Sequence, residues 1–442
     1  MKAVRFSDFN VWTPDSDGLI VYNTLTGALL TFNRRTANEV LAAMQQDNIT
    51  AVPKRYLLDF ARDGVVIEDS YDELSVVKAR NMLGRTQNEL ILSVMLTMAC
   101  NFRCRYCFQS RGTRPKAMGH EVEHRVVSLI SREARKKDRV SIDWYGGEPL
   151  LRFSQLVRMN NAIAGECKRC DTEYLLSVTT NGYLLTPEVI KYLSGFNVTH
   201  LQITLDGPAE THDFSRPLAN GDGTFTTILS NIRRAVEAGV PVVVRVNVWK
   251  PNVGRVSELY DILEENGLKN KVNVVTKPVL SSEANPCQAN CLPASEAAQL
   301  NIETYRNAAT KGWVVLPELG QLQGHEFCIV DSVGQFIIDP NGHLYKCGER
   351  FKESESVGCL ERDGALRLEE SSWTRWIGKD PLSFPECRVC KLLPICMGGC
   401  SMKRFWRPEE PPCVEFKYCL NDLLKTMVAS EANATNERRD WS

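Results

Sequence analysis

Between residues 90 and 276, six apolar strand-like runs alternate with amphipathic helical stretches, and this rhythm constrains the fold more than any other feature of the 442-residue sequence. The runs are Leu90–Met98, Val140–Trp144, Tyr174–Thr179, His200–Leu205, Val242–Val248 and Val272–Thr276. Segments such as Glu121–Lys137, Phe225–Ala238 and Val256–Asn266 separate them with helical periodicity. A repeated strand–helix unit buries its strands in a parallel sheet covered by helices, and right-handed crossovers curl that sheet toward a barrel. Six units, against the eight of a closed barrel, predict an α/β fold with a partial (βα)6 TIM-like barrel.

Two further regions flank this core. Residues 1–88 read as a small α+β unit. Leu19–Tyr22 and Ala28–Phe32 are strands split by a turn, Thr36–Met44 is a helix capped by Thr36, a second helix runs near Pro53 to Asp63, and Val65–Ile67 is a short strand. That order is winged-helix-like. The barrel is assigned to 89–312 and a cysteine-rich domain to 313–442.

Composition narrows the function. With 53 Lys+Arg against 54 Asp+Glu, the chain lacks the basic excess of a nucleic-acid binder. It has no apolar run long enough to span a membrane and no signal-peptide segment, so a cytoplasmic location is expected. In a reducing compartment its 16 cysteines read as metal ligands or catalytic thiols rather than disulfides. Their distribution is uneven: none in the first 99 residues, three within 100–107, and nine from Cys328 to Cys419. Cys167 and Cys170, at a helix end on the far face of the barrel, read as incidental.

In parallel barrels the active site lies where the strands end. Strand one runs into Cys100-x3-Cys104-x2-Cys107, strand two into Gly146-Gly147-Glu148-Pro149, strand three into Thr180-Asn181-Gly182, and strand four into Asp206-Gly207-Pro208; strand five carries Arg245 and Asn247. Three thiolates at such spacing converge on one metal centre, one ligand short of a closed zinc site or a complete cubane. An iron–sulfur cluster held this way keeps one iron open. Zinc with a distant fourth ligand is the bland alternative.

The triplet followed by Gly-Gly-Glu-Pro on alternating strands and helices resembles the radical S-adenosylmethionine (radical SAM) enzymes over about 90–280. The resemblance implies a [4Fe-4S] cluster on Cys100, Cys104 and Cys107 whose open iron chelates S-adenosylmethionine, and one-electron cleavage to methionine and a 5′-deoxyadenosyl radical. It implies further contacts to the cofactor. Gly146 and Gly147 allow close backbone approach. Glu148 accepts from the methionyl ammonium, and Arg245 forks onto its carboxylate. Thr204 adds a hydroxyl, Asn181 touches the ribose, and Tyr106 stacks near the adenine.

The second cysteine field runs Cys328-x13-Gly342-x4-Cys347, then Cys387-x2-Cys390-x5-Cys396-x3-Cys400, with Cys413 and Cys419 after it. Zinc ribbons are the bland reading. The order of spacings resembles the SPASM extension of radical SAM enzymes, which carries two auxiliary [4Fe-4S] clusters, making three in all. By that resemblance Cys328, Cys347 and Cys400 hold one auxiliary cluster, either open or completed by Cys287 or Cys291. Cys387, Cys390 and Cys396 hold the other, closed by Cys413 or Cys419.

Enzymes with this extension mostly modify peptides or proteins. The resemblance implies a maturase that abstracts hydrogen from a ribosomally made precursor and installs an intramolecular thioether or carbon–carbon crosslink. Residues 1–88 would bind the precursor's leader as an added edge strand. A flavodoxin- or ferredoxin-like protein would donate the electron. Sulfatase maturation is the alternative within the family. It is disfavoured because Gly348, followed by Glu349, stands where those enzymes place an Asp. The alternative outside it is a zinc-ribbon peptide-binding scaffold.

Overall fold

A computed structural model describes residues 3–45, 49, 52–107, 109, 117–279, 290–315, 328–378, 380–406 and 411–439. The chain divides into two compact units, one of residues 1–86, 309–332 and 379–442, the other of 87–308 and 333–378. Contacts thus group the chain differently from three consecutive blocks.

The first unit opens with β1 (Val4–Phe6), β2 (Asn10–Asp15), β3 (Gly18–Asn23) and β4 (Leu29–Asn33). Helices α1 (Arg34–Gln45) and α2 (Lys54–Arg62), strand β5 (Val66–Glu68) and helix α3 (Glu73–Arg85) follow. β2, β3 and β4 form an antiparallel meander with β4 at its edge, and β1 pairs with β5. Asn23 sets the turn between β3 and β4: its Oδ1 accepts from the amides of Leu25 and Thr26, and its Nδ2 donates to Asn10 and the Gly64 carbonyl. Leu19, Val21, Val40, Phe60 and Val65 form the core. The expected strands and helices of this region are present, but β1, β2 and α3 were missed. Nor does Thr36 cap α1. Asn33 Oδ1 accepts from its amide at 3.0 Å, and the helix begins at Arg34.

This segment does not stand alone. Phe9, Leu25 and Val77 share one hydrophobic cluster with Leu382, Phe384, Cys387, Leu393 and Met397. Thr13 bonds Asn421 at 3.0 Å. Its outer apolar face is therefore covered by the C-terminal cysteine-bearing segment of the same unit.

The second unit contains one ten-stranded sheet. Six strands run parallel: β6 (Glu89–Met95), β7 (Arg139–Tyr145), β8 (Glu173–Thr180), β9 (Val198–Thr204), β10 (Val242–Val248) and β11 (Asn273–Pro278). Helices α4 (His120–Glu133), α5 (Phe153–Cys170), α6 (Pro187–Leu193), α7 (Ala209–Ser215), α8 (Phe225–Glu237) and α9 (Glu258–Glu265) occur between them. Alternate residues such as Leu90, Leu92, Val94, Val242, Val244 and Val246 are buried. Their neighbours Ser93, Asp143, Ser177, Arg245 and Asn247 occupy the other face. The sheet is open, as six units imply, because β6 pairs with β12 (Gln335–Ile338) rather than with β11.

β12 lies parallel to β6 and continues through β13 (His343–Tyr345), β14 (Gly358–Leu360) and β15 (Leu366–Leu368) as an antiparallel meander. Residues 335–368 therefore extend the barrel sheet. Among the described residues no helix is long and apolar enough to cross a membrane.

Candidate radical SAM site

The loop after β6 carries the first three thiols, and its path is fixed on two sides. On one side the segment around Arg216 pairs with it: Arg103 N donates to Pro217 O at 2.9 Å, Arg105 N to Ser215 O at 3.0 Å, and Ala219 N to Asn101 O at 2.8 Å. On the other side the Gly-Gly turn after β7 presses against its root. Gly147 N bonds Thr97 O and Glu148 N bonds Ala99 O, each at 2.9 Å. A Cβ on Gly147 would lie 2.3 Å from Ala99 O, and one on Gly146, at φ +131°, 2.4 Å from Thr97 O. The close approach that demands glycine is to the backbone entering the cysteine loop.

Cys100, Cys104 and Cys107 lie close enough to raise the thiol of Cys104 between them, although burial is the larger cause and takes it to about 12. Burial also raises Cys100. The Phe102 amide donates to Cys100 Sγ at 3.4 Å. The Arg216 guanidinium opposes the burial of Cys100 and Cys104 by favouring their thiolates. Thiols that burial keeps neutral, as at Cys100 and Cys104, become ligands only beside an added positive centre. The cationic core of an iron–sulfur cluster is such a centre, and the loop fits it. Among the described residues no three His, Cys, Asp or Glu side chains are placed to hold one lone metal ion.

Glu148 is fully buried. Its carboxylate accepts from Leu150 N at 3.0 Å, Thr180 Oγ1 at 2.7 Å and Asn181 N at 2.8 Å. It clasps the ends of β7 and β8, and burial pushes its carboxyl above the ordinary glutamate range. Asn181 Nδ2 reaches Asn101 Oδ1 at 2.8 Å, tying β8 to the cysteine loop. Tyr106 packs edge-on to Trp249, in a small cluster with Val279 that Cys104 and Cys291 also touch. Its hydroxyl donates to Asp206 and accepts from Arg216 at 2.9 Å and Asn247 at 3.1 Å. Thr204 and Arg245 face each other across β9 and β10, and Arg245 Nε donates to Asn247 Oδ1 at 2.9 Å.

Arg216 and the role of Asp206 escaped the sequence reading, and Glu349 entered it only as a departure from the sulfatase-maturase pattern. Arg216 ends α7 and looks like an ordinary surface cation; only the pairing of 215–219 with the cysteine loop buries it. Asp206 was noted as part of a turn, not as the buried acceptor for Tyr106. Glu349 lies near Arg245 and Tyr145, and burial pushes its carboxyl upward. Its one available clue was its place two residues after Cys347.

The other cysteines fall into both units. In the first, Cys387, Cys390, Cys396 and Cys413 lie within electrostatic range of one another, and burial pushes Cys387 up to about 11. Lys417 Nζ lies 3.1 Å from Cys413 Sγ. Cys419 is different: the charges that reach it are Glu415 and Asp422, not another thiol. Cys328 and Cys400 are electrostatic neighbours, with Cys328 raised to about 11 chiefly by burial. Cys347, in the second unit, is buried beyond β13. Cys287 lies outside the described residues.

A three-thiol loop at the mouth of an open parallel barrel, backed by a Gly-Gly-Glu turn, defines a class of enzyme. Residues 94–273 match the model of the radical SAM superfamily, so this stretch is a radical SAM domain. It is similar to mycofactocin maturase MftC of Mycobacterium tuberculosis, 27% identical over 374 residues that span 80% of this chain and 88% of that protein. It is also similar to the serine-type anaerobic sulfatase-maturating enzyme of Klebsiella aerogenes, 22% identical over 325 residues covering 70% of this chain and 79% of that one. Among solved structures, Streptococcus suis SuiB bound to precursor peptide SuiA shares the fold with a TM-score of 0.50 and 16% identity, over 95% of this chain and 100% of that one. The redox-inactive zinc scaffold is set aside by the superfamily match.

Proposed function

We propose that this enzyme matures a ribosomally made precursor peptide, abstracting a hydrogen atom from it and installing an intramolecular thioether or carbon–carbon crosslink. The observation that carries the substrate class is the edge of the N-terminal sheet at β4, which pairs with no strand beyond β3 among the described residues. β4 borders a groove of about 360 Å³ lined by Leu30, Phe32, Thr36, Tyr56, Phe60 and Arg62 among others. An extended leader laid along β4 would gain main-chain hydrogen bonds from the edge and apolar contacts from the floor. This is the winged-helix-like recognition role proposed for 1–88. MftC is named a maturase and SuiB has been solved with its precursor peptide, which support the same class.

In this reading Cys100, Cys104 and Cys107 hold a [4Fe-4S] cluster whose open iron takes S-adenosylmethionine. Such a cluster would supply the one electron that cleaves S-adenosylmethionine to methionine and a 5′-deoxyadenosyl radical. Arg245 and Thr204 offer a cation and a hydroxyl for the methionyl carboxylate. Glu148 and Asn181 hold the strand ends and the loop in register, and Tyr106 anchors the loop at Asp206. The C-terminal SPASM assignment is read the same way: Cys387, Cys390, Cys396 and Cys413 hold one auxiliary cluster, and Cys328 and Cys400 contribute to another. A flavodoxin- or ferredoxin-like donor in the cytoplasm supplies electrons.

Sulfatase maturation is the second reading, supported by the Klebsiella relative and by Glu349, a buried carboxyl near Arg245 despite its offset from the expected Asp position. The test is mass spectrometry of the short peptide encoded beside the enzyme after co-expression. Loss of two hydrogens within that peptide supports crosslinking, and unchanged mass with solvent deuterium uptake indicates epimerisation instead. An untouched peptide together with oxidation of a sulfatase Ser or Cys favours the second reading.

A further inference from the structure

Arg216 is only 7% exposed, yet it forms no ion pair with any carboxylate among the described residues. Its Nη1 donates to the Tyr106 hydroxyl, its ring neighbour is Phe102 at 5.7 Å, and its Nε is buried without a partner. A guanidinium cannot shed its proton, and burying one without a counter-charge is strongly unfavourable. Two buried carboxylates are near, but neither bonds the guanidinium directly, and Asp206 reaches it only through the Tyr106 hydroxyl. Asp206 accepts from Tyr106 and Asn247 N, and Glu148 from Leu150, Thr180 and Asn181. The thiol loop is a second source of negative charge beside Asp206. The segment bearing Arg216 is bonded to that loop at residues 101, 103 and 105, and Cys104 is the leading charge partner of the guanidinium.

We infer that Arg216 is the fixed positive charge that sets the reduction potential of the cluster held by Cys100, Cys104 and Cys107. The inference rests on the cluster assignment above. One-electron reduction adds a unit of negative charge to an already anionic three-thiolate centre. A buried cation in a low-dielectric surrounding stabilises the reduced form more than the oxidised one, so it raises the potential. Arg216 acts through the cluster and is a positioning residue for charge.

The test is an EPR-monitored redox titration of the anaerobically reconstituted full chain, following the signal that changes when S-adenosylmethionine is added. Arg216→Met should keep its iron and shift the reduction equilibrium at least tenfold toward the oxidised form, about 59 mV lower for one electron. Arg216→Lys should stay within about threefold of the parent, because the charge is kept. Asp206→Asn removes a buried negative charge from the same network and should move the potential upward. A merely structural arginine predicts that Arg216→Met and Arg216→Lys leave the potential alike. An unchanged potential in Arg216→Met with iron intact overturns the inference. Should that variant fail to hold iron, an unchanged or lowered potential in Asp206→Asn overturns it. If the parent itself shows no cofactor-sensitive signal, the cluster assignment has failed and the inference falls with it.

Discussion

Arg404 holds Asp331 inside the first unit: one guanidinium nitrogen lies 2.9 Å from Oδ1 and 3.0 Å from Oδ2, with the side chains 2% and 8% exposed. Ser401 bonds the same carboxylate. Cys400 precedes Ser401, and Cys328 lies three residues before Asp331, so this buried pair joins two thiol-bearing segments. Replacing Arg404 with Met leaves an uncompensated buried carboxylate, which costs about 3–5 kcal/mol. Denaturant unfolding should show that loss. Iron analysis should show the Cys328–Cys400 centre emptied before the others; full iron at parental stability would refute the linkage.

The two candidate closing thiols separate cleanly. Cys413 lies within electrostatic range of Cys387 and Cys396, whereas Cys419 has carboxylate neighbours. Cys413→Ala should lose about one cluster's iron, roughly four atoms, while Cys419→Ala should keep it. The opposite pattern would reassign the ligand.

Gly147→Ala tests the packing of the cysteine loop. Its Cβ would meet Ala99 O at 2.3 Å and Met98 O at 2.6 Å, and backbone on both sides leaves little room to yield. The variant should bind iron poorly at the first site and lose S-adenosylmethionine cleavage at least tenfold. The triple replacement of Cys100, Cys104 and Cys107 by Ala should abolish cleavage and spare the auxiliary iron. Deoxyadenosine produced by the triple variant would sink the assignment.

Peptide recognition is best probed without deleting residues 1–88. Deletion would strip Phe9, Leu25 and Val77 from Leu382, Phe384 and Leu393, exposing the apolar surroundings of Cys387. Truncated protein should therefore lose auxiliary iron as well as peptide modification. Thr31→Trp on exposed β4 fills the groove without touching that cluster. It should leave slow uncoupled cleavage of S-adenosylmethionine intact and reduce peptide modification tenfold or more. Modification at the parental rate would show that the leader docks elsewhere.

Tyr145 and Arg245 both feel the Glu349 carboxyl. Glu349→Gln should keep all iron and the cleavage of S-adenosylmethionine, and lower product formation from the natural substrate about a hundredfold or more, within the range of a lost acid–base group. Product at the parental rate would make Glu349 a packing residue.

Much of this molecule is written locally. The six parallel strands fall within a few residues of the apolar runs, because alternating strand and helix periods each have one way to bury their faces. The thiol spacings mark two cysteine fields, and the Gly-Gly-Glu turn follows β7 as expected. Local chemistry misled at Thr36, where Asn33 one residue before the helix offers the earlier cap.

What the tertiary structure alone decided is where charge is buried and which edges pair. Nothing near Arg216 or Arg404 in the sequence separates them from the other 51 Lys and Arg side chains, since 53 minus these two leaves 51. Each is interior because a distant segment closes over it, residues 101–105 in one case and 331 in the other. The same holds for β12, which joins β6 across about 240 residues, and for the N-terminal meander resting on Leu382 and Phe384. Propensity, period and ligand spacing act over a few residues and are legible one segment at a time. Burial and strand pairing between remote segments depend on the whole chain excluding water together, and no single segment carries that information.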